Sequence, residues 1–215
     1  MRKTLKIGLA SLLVAACLFT VTGCDKKDEK VEKKDSNNTV EISNINGKGT
    51  ITLSVPKNDE GKAKYEFTTE KPEGISKSGT FYLVTDKAMI AFLTSGLSYN
   101  TSKDYKAKYG DKKATFDGYL EFIEDKDLFD KSYLPGLEQF KINDRKALRY
   151  YNRSGSSNAY KYFGYFYMVA ADDIYTGSKL ELVVNYKDEE KPKEAKELDK
   201  ETLDIIKSLK LQANS

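Results

Sequence analysis

The chain has 215 residues, 36 Lys+Arg against 33 Asp+Glu, and neither histidine nor tryptophan. The lack of histidine excludes His-based catalytic triads, His-ligated zinc and imidazole proton shuttles. Taking away residues 1–23 removes Arg2, Lys3 and Lys6 and no acid, which leaves 33 basic and 33 acidic side chains; such a balance lacks the clustered basic excess that nucleic acid requires.

In chain order, Arg2, Lys3 and Lys6 precede an apolar stretch from Ile7 to Val21, and Val21-Thr22-Gly23-Cys24 closes it. A basic start, a short apolar middle and small residues before a cut site describe a secretory signal peptide. The stretch is 15 residues long and contains Gly8, Ser11 and Thr20, short of the about 20 apolar residues that a spanning helix needs. The cysteine directly after the small pair resembles the lipobox of bacterial lipoprotein signals. That resemblance implies diacylglyceryl transfer to the Cys24 thiol, cleavage between Gly23 and Cys24, and a lipid anchor at the extracytoplasmic face of the cell membrane. Two acyl chains suit that role, because one chain alone holds only marginally.

Cys17 would leave with the signal and Cys24 would be alkylated, so the mature chain expects no disulfide and no free thiol. Thiol catalysis goes with them. From Asp25 to Thr39 the only apolar residue is Val31, too little to order the segment. We read 24–44 as the lipidated cysteine and a flexible charged tether, in which Asp25–Thr39 has an r.m.s. reach of roughly 20 Å. Residues 45–211 then form a single globular domain, and 212–215 a C-terminal tail.

Within the domain, Gly49–Val55 alternates Ile51, Leu53 and Val55 with Thr and Ser, which predicts a strand with one buried face. Ala63–Thr69 repeats the pattern, with Tyr65 and Phe67 inside, and the two are expected to pair as a hairpin around Lys57–Lys62. Phe81–Thr85 and Ala88–Thr94 read as a second hairpin; Lys87–Thr94 is also compatible with a short buried helix capped by Asp86. A helix is predicted from the Ser102 N-cap to Tyr109, ended by Gly110. Phe116, Tyr119, Leu120 and Ile123 mark a second helical face. After the break at Pro135-Gly136, strands are predicted at Leu137–Ile142, Lys146–Asn152, Tyr160–Ala170 and Lys179–Tyr186. A helix over Lys193–Leu209 follows, with Pro192 at its start.

Tyr160–Ala170 is expected to be the central strand, with Tyr160, Tyr162, Phe166 and Met168 on one face and Phe163, Tyr165, Tyr167 and Val169 on the other. A strand that is apolar on both faces is covered on both faces. The fold class is therefore α+β, a mostly antiparallel sheet with helices on both faces, in an α/β/α sandwich.

Ser54-Val55-Pro56 at the end of the first strand, the turn Asn143-Asp144-Arg145 leading into Lys146-Ala147, and a final helix running into Ile205-Ile206-Lys207-Ser208-Leu209-Lys210-Leu211 add up. Together with the strand order they resemble the PsbP-like family of small α/β/α domains, across residues 45–211. That family includes the extrinsic photosystem subunit and many exported bacterial lipoproteins. The resemblance implies a binding or accessory role and no shared catalytic set.

Without His or a mature thiol, carboxylates, Ser/Lys pairs and tyrosines remain as chemistry. Asp125, Asp127 and Asp130, with Glu121 and Glu124, form the densest acid cluster. It lacks the central Gly and distal Glu of the common calcium loop, and reads as a solvated helix end rather than a metal site. Asp172-Asp173 reads as a turn. No cofactor is expected.

Tyrosine is over-used, with 15 in the chain. Tyr150, Tyr151, Tyr160, Tyr162, Tyr165 and Tyr167 fall on two neighbouring predicted strands. Two readings stay open: a stacking surface for a peptide, glycan or apolar ligand, or core packing with cross-strand aromatic pairs. If there is a ligand site, the candidates are Arg149, Tyr150, Tyr151, Arg153 and Tyr162, beside the polar turn 154–158. The expectation is a monomeric, non-enzymatic, membrane-anchored lipoprotein that binds a protein, peptide or small molecule. The Lys- and Asn-rich style points to a Gram-positive source. The alternatives are a cell-envelope hydrolase using carboxylates or Ser/Lys, and a structural or assembly subunit of a membrane complex.

Overall fold

Period-two alternation and short turns dominate the chain, and the computed structural model is accordingly rich in antiparallel strands over residues 37–45, 48–155, 160–174, 176–187 and 191–214. The signal at 1–23, Cys24 and the tether as far as residue 36 lie outside these described residues. The first strands are β1 (Asn37–Ile45), β2 (Gly49–Pro56), β3 (Phe67–Thr68), β4 (Phe81–Val84) and β5 (Ala88–Gly96). Two helices follow, α1 (Lys103–Tyr109) and α2 (Phe116–Glu124), then β6 (Glu138–Ile142), β7 (Arg145–Ser154), β8 (Lys161–Ala170) and β9 (Ser178–Tyr186). Helix α3 (Lys200–Lys207) and strand β10 (Lys210–Ala213) close the chain. A seven-stranded sheet runs β3-β4-β5-β9-β8-β7-β6, and a three-stranded sheet runs β1-β2-β10. Every strand pairing in both is antiparallel.

The helices start where the side chains offer caps. Ser102 Oγ accepts from the Tyr105 N–H at 3.1 Å, and Thr115 Oγ1 accepts from the Gly118 N–H at 3.0 Å. Asp172 reaches from the β8–β9 connection to accept from the Phe116 N–H at 2.8 Å, which adds a carboxylate at the α2 N-terminus.

Alternate residues of the large sheet feed different clusters. Tyr165, Tyr167 and Val169 of β8 and Leu180, Leu182 and Val184 of β9 pack with Ile51, Leu53 and Val55 of β2 and with Ile205 and Ile206 of α3. Residues of the opposite parity, Leu148 and Met168, pack with Phe116 and Ile123 of α2. Met89, Ala91 and Val183 pack with Ile75 and Tyr82. Each fully buried Leu, Ile or Phe contributes roughly 1.5–3 kcal/mol, so an apolar residue at both parities of β8 and β9 stabilises two packed interfaces rather than one. No helix among the described residues is long and apolar enough to cross a membrane.

Several expectations shift. The 49–55/63–69 hairpin does not form. Both edges of β2 are taken, by β1 and by β10, so Ala63–Thr69 yields only an isolated Lys57–Ala63 bridge and the short β3, which pairs with β4. Ala88–Gly96 is strand and not helix; Thr85 Oγ1, rather than Asp86, accepts from the Ala88 N–H, at 2.9 Å. The middle strand is β9, with β8 beside it.

The faces of β8 also differ from strict alternation. A register shift pairs Asn152 with Gly164 and Arg153 with Tyr162. The extra residue flips the parity, so Tyr162 packs with Tyr151 and Tyr165 instead of with Phe166.

The last helix is shorter than the predicted 193–209. Its cap is Asp199, whose carboxylate accepts from the Thr202 N–H at 3.0 Å and from the Thr202 hydroxyl at 2.7 Å. Residues 191–199 instead run as a strap: the Tyr162 N–H donates to the Pro192 carbonyl at 3.0 Å, and the Tyr186 hydroxyl donates to the Lys196 carbonyl. At the two ends, β1 begins within the stretch read as tether, and Gln212 and Ala213 belong to β10.

Candidate ligand site

A two-residue turn at Asn143-Asp144 joins β6 to β7 and pairs Ile142 with Arg145. Counting outward from that pair places Glu138 opposite Arg149, and the β7–β8 register places Arg149 opposite Tyr167. Glu138, Arg149 and Tyr167 therefore form one row across three strands, on the face that packs against α3.

Arg149 is the centre of the row. Its Nε donates to Glu138 at 2.7 Å, and Nη1 and Nη2 donate to the two carboxylate oxygens of Glu197 at 3.0 and 3.1 Å. Glu197 comes from the strap. The guanidinium lies over the Tyr165 ring, 4.8 Å from its centroid, a cation–π placement. Only 19% of the Arg149 side chain is exposed, against 53% of Glu138 and 60% of Glu197. The cation is covered and its carboxylate partners stand at the rim. Burial alone would lower the Arg149 pKa; the hydrogen bonds to Glu197 and Glu138 and the nearby Tyr167 outweigh it and hold the pKa above the ordinary value.

Beside this row lies a cavity of about 170 Å³, lined by Phe140, Tyr167, Leu203 and Ile206 together with Arg149, Lys207 and the two glutamates. Tyr167 is 2% exposed, and its hydroxyl is buried with no hydrogen-bond partner. The Arg149 guanidinium is close enough to act on that oxygen, yet no bond of acceptable geometry joins them. Burial raises the Tyr167 pKa, and Arg149 only partly opposes it, so the phenol is neutral and able to donate.

The structure separates the five predicted site residues. Arg149 lines the cavity. Tyr151 and Tyr162 share its face of the sheet and meet edge to face at 5.6 Å, and Tyr151 closes over Gly136, where a Cβ would overlap its ring. Tyr150 has the opposite parity and stacks on Phe166 at 5.2 Å. Arg153 lies over the Tyr160 ring at 3.9 Å and donates to the Ser132 carbonyl at 3.1 Å. All five are half-buried, and the three tyrosines among them meet neighbouring rings. Cys24 lies outside the described residues.

Glu138, Phe140, Glu197, Leu203 and Ile206 were not among the predicted site residues. The turn at 143–144 carried the signal for Glu138, because a two-residue turn fixes every pair along the hairpin. Glu197 had none, since its segment reads as helix.

Several other acids are committed to partners. Asp125 pairs with Lys108 at 2.7 Å and accepts from the Tyr109 hydroxyl at 2.6 Å. Asp130 caps a short turn by accepting from the Ser132 N–H at 2.8 Å. Asp173 takes Arg145 bidentately at 2.7 and 2.6 Å. Glu181 is buried between Lys77 at 2.5 Å and Lys179 at 2.7 Å. No group of acids placed to hold a metal ion occurs among the described residues.

The chain matches no family model, no curated protein and no solved structure.

Proposed function

We propose that this chain is an exported lipoprotein, anchored to the extracytoplasmic face of a cell membrane through diacylglyceryl on Cys24, whose domain binds a small molecule without chemically changing it. The observation that carries the binding role is the cavity of about 170 Å³ beside Arg149, with Phe140, Tyr167, Leu203 and Ile206 in its lining. A non-catalytic reading is supported by the ion pairs of Asp125, Asp173, Glu181, Glu138 and Glu197, which leave these carboxylates committed rather than poised. The order basic start, apolar stretch, Thr22-Gly23-Cys24 supports the anchor.

The three-layer, PsbP-like arrangement with helices on both faces belongs to the same proposal. It is supported by the division of alternate sheet residues between the α3 cluster and the α2 cluster.

Cys24→Ser tests the anchor. The variant is expected in the soluble fraction or as an uncleaved precursor, without incorporated palmitate. A membrane-bound variant of mature length would overturn the lipoprotein reading.

A further inference from the structure

We propose that residues 69–80 form a strap that opens and closes as one unit over the sheet face opposite the Arg149 cavity, latched by Lys77 on Glu181. The proposal goes beyond the ligand-binding reading and does not depend on it.

The strap joins the sheet at its two ends. Thr68, just before it, pairs with Tyr82 of β4, and at its far end the Thr80 N–H donates to the Phe92 carbonyl at 2.8 Å. Among the described residues, no backbone–backbone hydrogen bond involves 69–79. A loop whose ends lie together can lift without breaking the ladder that holds those ends.

Side chains seat it on one face of β9. Glu181, Val183 and Asn185 alternate along that face and are all buried. The strap answers each of them. Lys77 Nζ donates to Glu181 at 2.5 Å. Ile75 packs in the cluster that contains Val183, Ala91 and Met89. The Ser76 hydroxyl donates to Asn185 Oδ1 at 3.1 Å, and Asn185 Nδ2 donates to the Gly74 carbonyl at 3.2 Å. Polar contacts on both sides of an apolar one define a single closed position.

The sheet keeps partners of its own when the strap lifts. Glu181 retains Lys179 at 2.7 Å and the Ser95 hydroxyl at 3.2 Å. Asn185 Oδ1 retains the Asn152 amide at 3.2 Å. Ser76 and Lys77 are exposed, so water takes over their bonds. Opening therefore leaves no charge unpaired in the interior, the loss that makes breaking a buried ion pair expensive. What opposes opening is apolar: Ile75 leaves its cluster, and Ala91 and Val183, paired across β5 and β9, meet water.

The test places a cysteine under the strap, Val183→Cys, or on the other face of the same strand, Val184→Cys, in the full chain in detergent. Both valines are fully buried, and they belong to clusters on opposite faces. Labelling by a thiol reagent is followed under native conditions, with the label located by peptide mass spectrometry. Val183→Cys is expected to label roughly tenfold or more faster than Val184→Cys, because a local opening is more populated than global unfolding. Its rate should also depend less on urea, since a local opening exposes less surface. Adding Lys77→Ala should speed Val183→Cys labelling by about tenfold, as loss of one bond to a charged group does, and leave Val184→Cys unchanged. Lys77→Arg, which keeps the charge, should restore the slower rate. Equal labelling of the two cysteines, equal dependence on urea, or a Lys77→Ala effect that is absent or shared by both positions would overturn the proposal.

Discussion

Asn143 and Leu209 tie the β6–β7 turn to the end of α3: the Asn143 side-chain amide donates to the Leu209 carbonyl at 2.5 Å. Asn143 also sits at φ 53°, the only non-glycine at positive φ among the described residues. One residue thus fixes the hairpin register that sets Glu138 opposite Arg149, and holds that hairpin against the helix that walls the cavity.

Replacing Asn143 separates the two roles. Asn143→Ala should cost about 1–2 kcal/mol, from left-handed backbone strain and the lost bond. Asn143→Gly removes the strain and keeps only the second loss, so it should be the milder variant. Urea unfolding of the pair checks the order; an alanine variant as stable as the glycine one would contradict it.

Gly164 sits next to the bulge between β7 and β8, where β8 begins to pair with β9. Its φ is 139°, and a Cβ there would overlap the Val184 carbonyl. Gly61, at φ 75°, has open space around it, with nothing within 4 Å of where a Cβ would stand. Gly164→Ala should therefore cost at least ~2 kcal/mol and Gly61→Ala about 1 kcal/mol, since the first adds a backbone clash to the strain that both share. Thermal melts of the two variants measure the difference directly.

The pH profile of stability follows from paired carboxylates. Arg145 holds the Asp173 pKa down, and Lys108 and Tyr109 hold Asp125 down. Burial pushes Glu181 up, but its bonds to Lys179 and Lys77 outweigh that and leave it lowered. A carboxyl with a lower pKa folded than unfolded stabilises above its unfolded value, near ~4, and loses that contribution as pH falls through the folded value. The chain has no histidine, so stability should be level from pH ~8 to ~5 and decline below ~4. At the alkaline end, burial raises Tyr186 to about 12. Its contribution is complete below its unfolded value near ~10 and is lost as pH rises toward the folded one. Glu181→Gln should flatten the acid limb and cost about 1.5–3 kcal/mol at pH 7, because Lys77 and Lys179 lose a charged acceptor. Chemical denaturation at a series of pH values tests both limbs.

Local signals carried much of the fold and little of the site. Alternation located β2, β4, β5 and β6 to β9, and caps at Ser102 and Gly110 bounded α1, because those patterns act over a few residues. The partners of β2 were not legible: β1 starts in a polar run and has only Val40, Ile42 and Ile45 as apolar residues, and β10 follows a helix with no intervening turn signal, so tertiary pairing alone decides them. Tyr162 changed face through a bulge that alternation cannot foresee. The strap misread as helix has the composition of a helix, and is drawn out by contacts at Tyr162 and Tyr186. That misreading hid Glu197, while Tyr167 was visible as an aromatic and not as an unpartnered hydroxyl, a property that exists only once its neighbours are in place.

The most direct test of the ligand-binding account is a crystal structure of the protein purified from its own membrane. The account predicts a bound small molecule between Phe140 and the Leu203–Ile206 side of α3, with the Arg149–Glu138 and Arg149–Glu197 pairs intact. A cavity filled only by ordered water, or closed by collapse of its walls, would contradict it.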